Sequence, residues 1–206
     1  MSGYIRKHEI PILAVNCALI VLFGALSVAR LNYEFVIYIA VIAVFLIVIL
    51  AVQREVEFSP LVLWGLTAWA FLHMAGGNIQ VGEGRLYEVI LLPLIPRHDI
   101  LRYDHFVHTF GFAVATLVGY HLLRRHLKPA PGGWVALSIV IPLIGMGLGA
   151  LNEVVELLVV LAAPESGVGG YFNTAFDLLF NTMGAALATV FIHVRRMASG
   201  EALPRV

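Results

Sequence analysis

Long apolar stretches constrain this sequence more than any other feature. A transmembrane α-helix needs about 20 mostly apolar residues. Six stretches approach or reach that length: residues 10–29, 35–52, 58–75, 105–123, 134–150 or beyond, and 174–194. Only 13% of the residues are charged, against about 25% in an ordinary soluble domain. The sequence therefore predicts an all-α fold, a polytopic membrane helix bundle with six transmembrane helices, as a single integral membrane domain over residues 1–206.

The Lys and Arg residues predict the orientation of the bundle, because basic loops tend to stay in the cytoplasm. With the N-terminus inside, nine of the 13 basic residues fall in inner loops, and the outer loops hold the other four, Arg30, Arg85, Arg97 and Arg102. The connection between spans five and six has no Lys or Arg. We therefore expect both the N-terminus and the C-terminus to be cytoplasmic.

Charge and cysteine content exclude several classes of function. The chain has 13 basic and 13 acidic residues, so no basic excess points to nucleic acid, and we expect no nucleic-acid partner. A single cysteine, Cys17, excludes a disulfide framework and a cysteine-rich metal site. A metal, if bound, must use His and carboxylate ligands.

The connection over residues 77–103 is the longest outside the predicted spans. It holds a Gly-rich turn and then a short apolar run over residues 87–95, which is closed by prolines. That run is too short to cross a membrane. We expect either an extracytoplasmic loop or a re-entrant cap over the outer end of the bundle.

Ionisable groups within the spans concentrate at one depth. Such groups are costly in a membrane, so each one needs a partner or a function. With the expected orientation, four spans bring polar residues to the outer half of the membrane: His73, then Asp104 and His108, then Asn152, Glu153 and Glu156, then Asp177 and Asn181. The sequence therefore predicts a polar pocket that opens at the outer surface.

Two of these spans begin with copies of one pattern. Residues 103–111 read Tyr-Asp-x-x-x-His-Thr-x-Gly, and residues 176–184 read Phe-Asp-x-x-x-Asn-Thr-x-Gly. Residues three, four and seven apart share one helix face, so each Gly lies on the polar face, deeper in the membrane. Gly145 and Gly149 take the same position on span five. Small residues permit close helix approach in lipid, which predicts a pocket floored by glycine packing.

The residue types in this pocket suit a divalent metal. Glu153 and Glu156 cannot both ionise in a low dielectric without a positive charge nearby. Protonation of one of them, a partner such as Arg102, or a bound metal is therefore required. Mixed imidazole and carboxylate ligands suit zinc, iron or manganese, and the candidate ligands are His73, His108, Glu153, Glu156 and Asp177. Glu153 or Asp104 would act as general base toward an activated water. The candidate supporting residues are Arg102, Tyr103, His105, Asn152, Asn173 and Asn181.

Three short motifs in this order resemble the VanZ-like superfamily, and most closely its YjdF-type family of bacterial inner-membrane proteins. They are residues 103–111, residues 152–156 and residues 176–185, so residues 104–194 form the motif-bearing half. The superfamily pattern has Lys, Asp and Gln where this chain has His105, Asn152 and Glu156. The resemblance implies a multi-pass protein of the bacterial inner membrane with a role in the cell envelope.

Three classes of function stay open at this point. The first is a membrane-embedded enzyme that acts on a lipid or lipid-linked substrate from the outer face. It would use either a divalent metal or acid/base catalysis alone. The second is a non-catalytic envelope protein that binds a lipid headgroup or a partner. The third is a small proton- or cation-coupled carrier, although no inverted repeat supports it and no polar residues continue into the inner halves of spans four to six.

Overall fold

Six α-helices make up most of the described chain. The computed structural model describes residues 6–93, 101–128, 133–162, 170–203 and 206. The helices are α1 (Ile10–Ala29), α2 (Tyr33–Val56), α3 (Pro60–Asn78), α4 (Tyr103–Arg124), α5 (Gly133–Ala162) and α6 (Tyr171–Ser199). Five of them are long and apolar enough to cross a membrane, and α3 is the exception. The protein is therefore a helical, multi-pass membrane protein.

Most helices extend past the apolar stretches that predict them. Only α1 has the predicted bounds, whereas α5 continues to Ala162 and so carries its glutamates within the helix. Side-chain caps set two of the starts: Asn32 accepts a hydrogen bond from the backbone of Phe35, and Ser59 accepts one from Val62. A capping residue is polar, because its side chain accepts hydrogen bonds from the free N–H groups of the first turn. Such residues therefore fall outside a stretch that is identified by its apolar residues.

Polar contacts hold α1 beside α3. The Asn16 amide donates to the Thr67 hydroxyl over 2.7 Å, and the Ser27 hydroxyl donates to the Asn78 side chain over 3.1 Å. Both pairs are 51 residues apart, so the two helices run parallel. In lipid, interhelical hydrogen bonds of this kind help to fix which helices associate.

The central element of the bundle is α4, which packs against α3, α5 and α6. The ring of His105 stacks on Phe180 of α6, with centroids 4.3 Å apart, and His108 contacts Asn181. These pairs are 73 to 75 residues apart, so α4 and α6 run parallel. The two copies of the repeated pattern therefore lie side by side at the same depth.

Glycines let these helices meet, as the sequence predicts. A Cβ at Gly184 would overlap the backbone of Thr109 on α4, and a Cβ at Gly145 would overlap the side chains of Thr116 and Ala185. Gly149 lies under Asn181, where an added Cβ would be 2.8 Å from the Asn181 Cβ. The prediction of a glycine-packed floor beneath the polar residues of α4, α5 and α6 is confirmed at Gly145, Gly149 and Gly184, whereas Gly111 faces Trp69 of α3.

The connection between α3 and α4 is an ordered loop over the part that the structure describes. It forms a two-stranded hairpin, β1 (Gln80–Val81) and β2 (Gly84–Arg85), followed by a 3-10 turn at Leu86–Glu88. Arg85 binds Glu34 at the start of α2 over 3.0 Å. The hairpin therefore ties α2 to the end of α3. The rest of the predicted cap, residues 94–100, lies outside the described residues.

Both described ends of the chain lie at one end of the bundle. Ile12 near the start of α1, Phe58 before α3 and the C-terminal Val206 belong to one buried cluster. Tyr120 near the end of α4 completes that cluster. The polar residues predicted to form the pocket lie toward the other end, where α4 and α6 begin and α5 ends.

We predict that Gly184→Ala destabilises the bundle strongly, whereas Gly147→Ala does not. The Gly184 Cβ would meet backbone atoms of α4, which cannot move without separating the helices, and overpacking of this kind costs about 1–3 kcal/mol or more. An added Cβ at Gly147 meets nothing within 4 Å, and alanine favours the helix. Thermal unfolding in detergent measures both variants, and equal midpoints would contradict the proposed backbone contact.

Candidate functional site

Three helices bring four carboxylates and a histidine into one buried cluster. The cluster consists of Asp104 and His108 on α4, Glu153 and Glu156 on α5, and Asp177 with Asn181 on α6. Spacings of three and four residues put each pair on one helix face. His108, Glu153, Glu156 and Asp177 are each at least nine-tenths buried. The structure therefore brings together all but one of the residues predicted as metal ligands.

Asn181 determines how His108 is oriented. The Asn181 side-chain oxygen lies 2.9 Å from His108 Nδ1, and the amide nitrogen donates to Glu153 Oε1 over 3.4 Å. Since the amide oxygen accepts only, Nδ1 must carry the proton. The other ring nitrogen, Nε2, is then left to face the remaining members of the cluster. A histidine held in this way through Nδ1 is typical of metal sites.

His108 Nε2 faces two carboxylate oxygens across a gap that is too wide for a hydrogen bond. It lies 3.6 Å from Asp104 Oδ1 and 3.8 Å from Asp177 Oδ1, beyond the usual hydrogen-bond range. Ligand bonds of about 2.1 Å in a tetrahedral site place neighbouring ligand atoms roughly 3.4 Å apart. The spacing therefore suits three atoms that share one cation.

The carboxylates of α5 and α6 form a second group, which shares Asp177 with the first. Glu153, Glu156 and Asp177 each offer an oxygen, and these oxygens lie within 4.8 Å of one another. Asn152 donates to Glu156 Oε1 over 2.8 Å, and Asn173 donates to Asp177 Oδ2 over 2.6 Å. The predicted supporting roles of both asparagines match these contacts.

Two oxygens of the cluster are buried and accept no hydrogen bond from the described residues. They are Oε2 of Glu153 and Oδ1 of Asp177. A buried polar atom without a partner costs about 1–3 kcal/mol, and a charged one costs more. These two atoms therefore mark where a proton or a cation would be bound.

Access to the cluster is easiest at Asp104. Its side chain is 17% exposed, whereas the side chain of His108 is 8% exposed and that of Asp177 is fully buried. Arg102 precedes Asp104 and interacts electrostatically with both aspartates. Of these three side chains, that of Asp104 at the start of α4 is therefore the most accessible.

His73 is not part of either carboxylate group. The Tyr87 hydroxyl donates to the His73 carbonyl oxygen over 2.8 Å and lies 2.6 Å from His73 Nδ1, so Nδ1 donates to the hydroxyl oxygen. Burial raises the pKa of Tyr87 well above its ordinary value, which keeps the hydroxyl neutral and able to donate. His73 thus anchors the 3-10 turn to α3, and its role as a metal ligand, through Nε2, stays a prediction.

His105 and Tyr103 hold the start of α4. His105 Nδ1 accepts hydrogen bonds from the backbone N–H groups of Leu101 and Arg102. The Tyr103 hydroxyl donates to the carbonyl oxygen of Leu72 on α3. These contacts fix the first turn of α4 and, through it, the position of Asp104. Their predicted supporting role is therefore one of positioning the helix.

Two residues near the site have no signal in the sequence. Tyr87 comes from the loop between α3 and α4 and contacts His73, and the Trp69 indole of α3 lies against Gly111. Both contacts join elements that are far apart in the chain. No spacing rule relates a loop tyrosine to a histidine 14 residues earlier.

Comparison with known proteins gives one match. The family model described as "Predicted membrane protein (DUF2238)" matches residues 11–198. No curated protein and no solved structure matches this chain. The family match covers all six helices except the first residue of α1 and the last residue of α6.

We predict that Tyr87→Phe destabilises the loop and the end of α3, because it removes both contacts with His73. The expected loss of unfolding free energy is about 1–3 kcal/mol, the cost of leaving buried polar groups unpaired. Tyr171→Phe is the matched control, since Tyr171 is 82% exposed. Limited proteolysis and thermal unfolding in detergent measure the effect. Equal stability of the two variants would mean that the His73 contact is unimportant.

Proposed function

This chain belongs to the DUF2238 family of predicted membrane proteins, and we propose that it is a membrane-embedded, metal-dependent enzyme that acts on a lipid or lipid-linked substrate of the cell envelope. One observation carries the proposal. His108 Nε2 faces carboxylate oxygens of Asp104 and Asp177 at 3.6 and 3.8 Å, inside a buried cluster. A proton on Nε2 or a shared cation would satisfy these three atoms, and their spacing suits the ligands of a metal ion.

The proposed setting is the bacterial inner membrane, with six spans and both termini in the cytoplasm. We include α3 among the spans because it runs parallel to α1 between the Asn16–Thr67 and Ser27–Asn78 contacts. The basic residues support this orientation, which places the cluster in the outer half of the membrane. The resemblance to the VanZ-like superfamily, and to its YjdF-type family, stays a prediction that agrees with an envelope role.

The His108 imidazole favours zinc, iron or manganese over magnesium or calcium. Imidazole suits the transition metals, whereas carboxylates alone suit magnesium and calcium as well. The Nδ1 hydrogen bond from His108 to Asn181 would hold the ring in the orientation that leaves Nε2 for the metal. His73, which has its own contacts with Tyr87, is not required for this set.

We propose hydrolysis as the reaction, with water as the second reactant. The water oxygen forms a bond to the phosphorus or carbonyl carbon of the substrate, and the bond to the leaving oxygen breaks. Asp104, the most accessible acid of the cluster, would hold the metal through Oδ1, and its second carboxylate oxygen would take the water proton and return it to the leaving oxygen. Glu153 is the alternative base. The metal would lower the pKa of the attacking water.

A lipid substrate suits the position of the cluster in the bundle. Apolar side chains next to its acids in sequence point outward: Val154 and Leu157 on α5 and Leu178 on α6 are exposed. In a membrane these faces contact acyl chains, so the cluster lies about one helix width from lipid. A lipid headgroup could therefore reach Asp104 while its chains stay in the bilayer.

The same geometry argues against a carrier. The layer beneath the cluster is closed where Gly145 contacts Thr116 and Ala185, and Ile141 and Ile192 below it are fully buried. A transport path would need polar groups or water through this layer. A role in binding without catalysis remains an outcome that the experiments below distinguish.

We expect the purified protein to retain a transition metal at near-stoichiometric amounts. His108→Ala should lose it, because the ring nitrogen is the strongest candidate ligand, whereas His126→Ala, at an exposed position, should keep it. Elemental analysis after size-exclusion chromatography measures the metal on folded protein only. Metal-free wild-type protein with an intact fold would contradict the metal-dependent mechanism.

We further expect Asp104→Asn to cause the same change in membrane lipids as deletion of the gene. The matched control is Glu83→Gln, an acid-to-amide change at an exposed position of the hairpin. Mass spectrometry of lipid extracts would show one lipid class that accumulates in the deletion and Asp104→Asn strains. Metal binding without any such change would indicate a binding protein.

A further inference from the structure

We infer that the cluster binds two metal ions, with Asp177 as the bridging ligand, and that its substrate is a phosphate ester. This inference rests on the proposed function and narrows it. One ion would lie among Asp104, His108 and Asp177, and the other among Glu153, Glu156 and Asp177.

The ligand geometry divides the cluster into two groups of three. Within each group the ligand atoms lie within 4.8 Å of one another, and Asp177 belongs to both groups. Asp177 is also fully buried, at the point where the α4 and α5 ligands meet. A carboxylate shared in this way bridges the ions of two-metal sites, which lie about 3.5–4 Å apart.

The positions of the two unpartnered oxygens favour more than one ion. An ion beside His108 accounts for Asp177 Oδ1, which lies 3.8 Å from Nε2. It does not account for Oε2 of Glu153, a residue that belongs only to the second group. Glu153 as a whole is about nine-tenths buried, and a second cation in its group would satisfy this oxygen.

Charge balance supports the same number of ions. The four carboxylates carry about four negative charges when ionised, and Arg102 contributes one positive charge. One divalent ion would leave about one excess negative charge in a membrane interior, where an uncompensated charge is costly. Two ions leave a net positive site, which would attract an anionic substrate.

A positive two-ion site favours a phosphate ester over a neutral ester or an amide. Two ions can hold the phosphoryl oxygens and stabilise both the attacking and the leaving oxygen. Water supplies the new P–O bond, the ester P–O bond breaks, and the leaving alcohol receives the proton. The substrate would be a phospholipid or a lipid-linked phosphate.

Metal counting tests the two-ion site. After loading with Mn²⁺ and removal of free metal, wild type and Glu83→Gln should hold about two ions per chain, and Glu156→Gln should hold about one. Electron paramagnetic resonance should show exchange-coupled manganese in the wild type and isolated manganese in Glu156→Gln. One uncoupled ion in the wild type would overturn the second site and leave the proposed function standing. No bound ion would overturn both.

A matched pair of lipids tests the substrate class. Short-chain phosphatidic acid should release inorganic phosphate with the manganese-loaded wild type, and Glu156→Gln should lose this activity while it keeps one ion. Short-chain diacylglycerol, which offers only carboxylic esters, should stay intact. Cleavage of diacylglycerol without phosphate release would overturn the phosphate-ester assignment and still support a lipid hydrolase.

Discussion

The backbone contact between α4 and α6 at Gly184 is the constraint on which the rest of the site depends. With no side chain at this position, the helix reaches the backbone of Thr109, and the two helices run parallel with a fixed offset. That offset equals the spacing of the repeated pattern, so Asp104 and Asp177 come to the same depth. Apolar burial contributes little to helix association in lipid, which makes this close packing decisive.

The polar cluster and the glycine floor have opposite effects on stability. The glycine contacts stabilise the bundle, whereas buried carboxylates such as Glu153 and Asp177 destabilise it unless a cation or proton compensates them. The glycine contacts thus close the bundle beneath the end that carries this cost. The loop at that end is joined to α2 by the contact of Arg85 with Glu34 and to α3 by the contact of Tyr87 with His73.

Much of the site could be predicted because helical spacing is a local property. Asp104 and His108 share a face whatever surrounds them, and so do Glu153 and Glu156. His73 shows the limit of this reasoning. Its predicted depth alone grouped it with the acids, but its Nδ1 contacts Tyr87 from the loop between α3 and α4. Which way a side chain points around its helix axis depends on the neighbouring helices, and no local spacing encodes that.

The sequence by itself determined that this is a helical membrane protein, where the helices lie, and which of their faces are polar or small, because these follow from composition and a period of 3.6 residues. Only the tertiary structure decided that α4 and α6 run side by side and that Asn181 orients His108. The tertiary structure also decided that Asp177 belongs to two groups of candidate ligands. These facts depend on distances between residues that are far apart in the chain, which packing sets and local sequence does not.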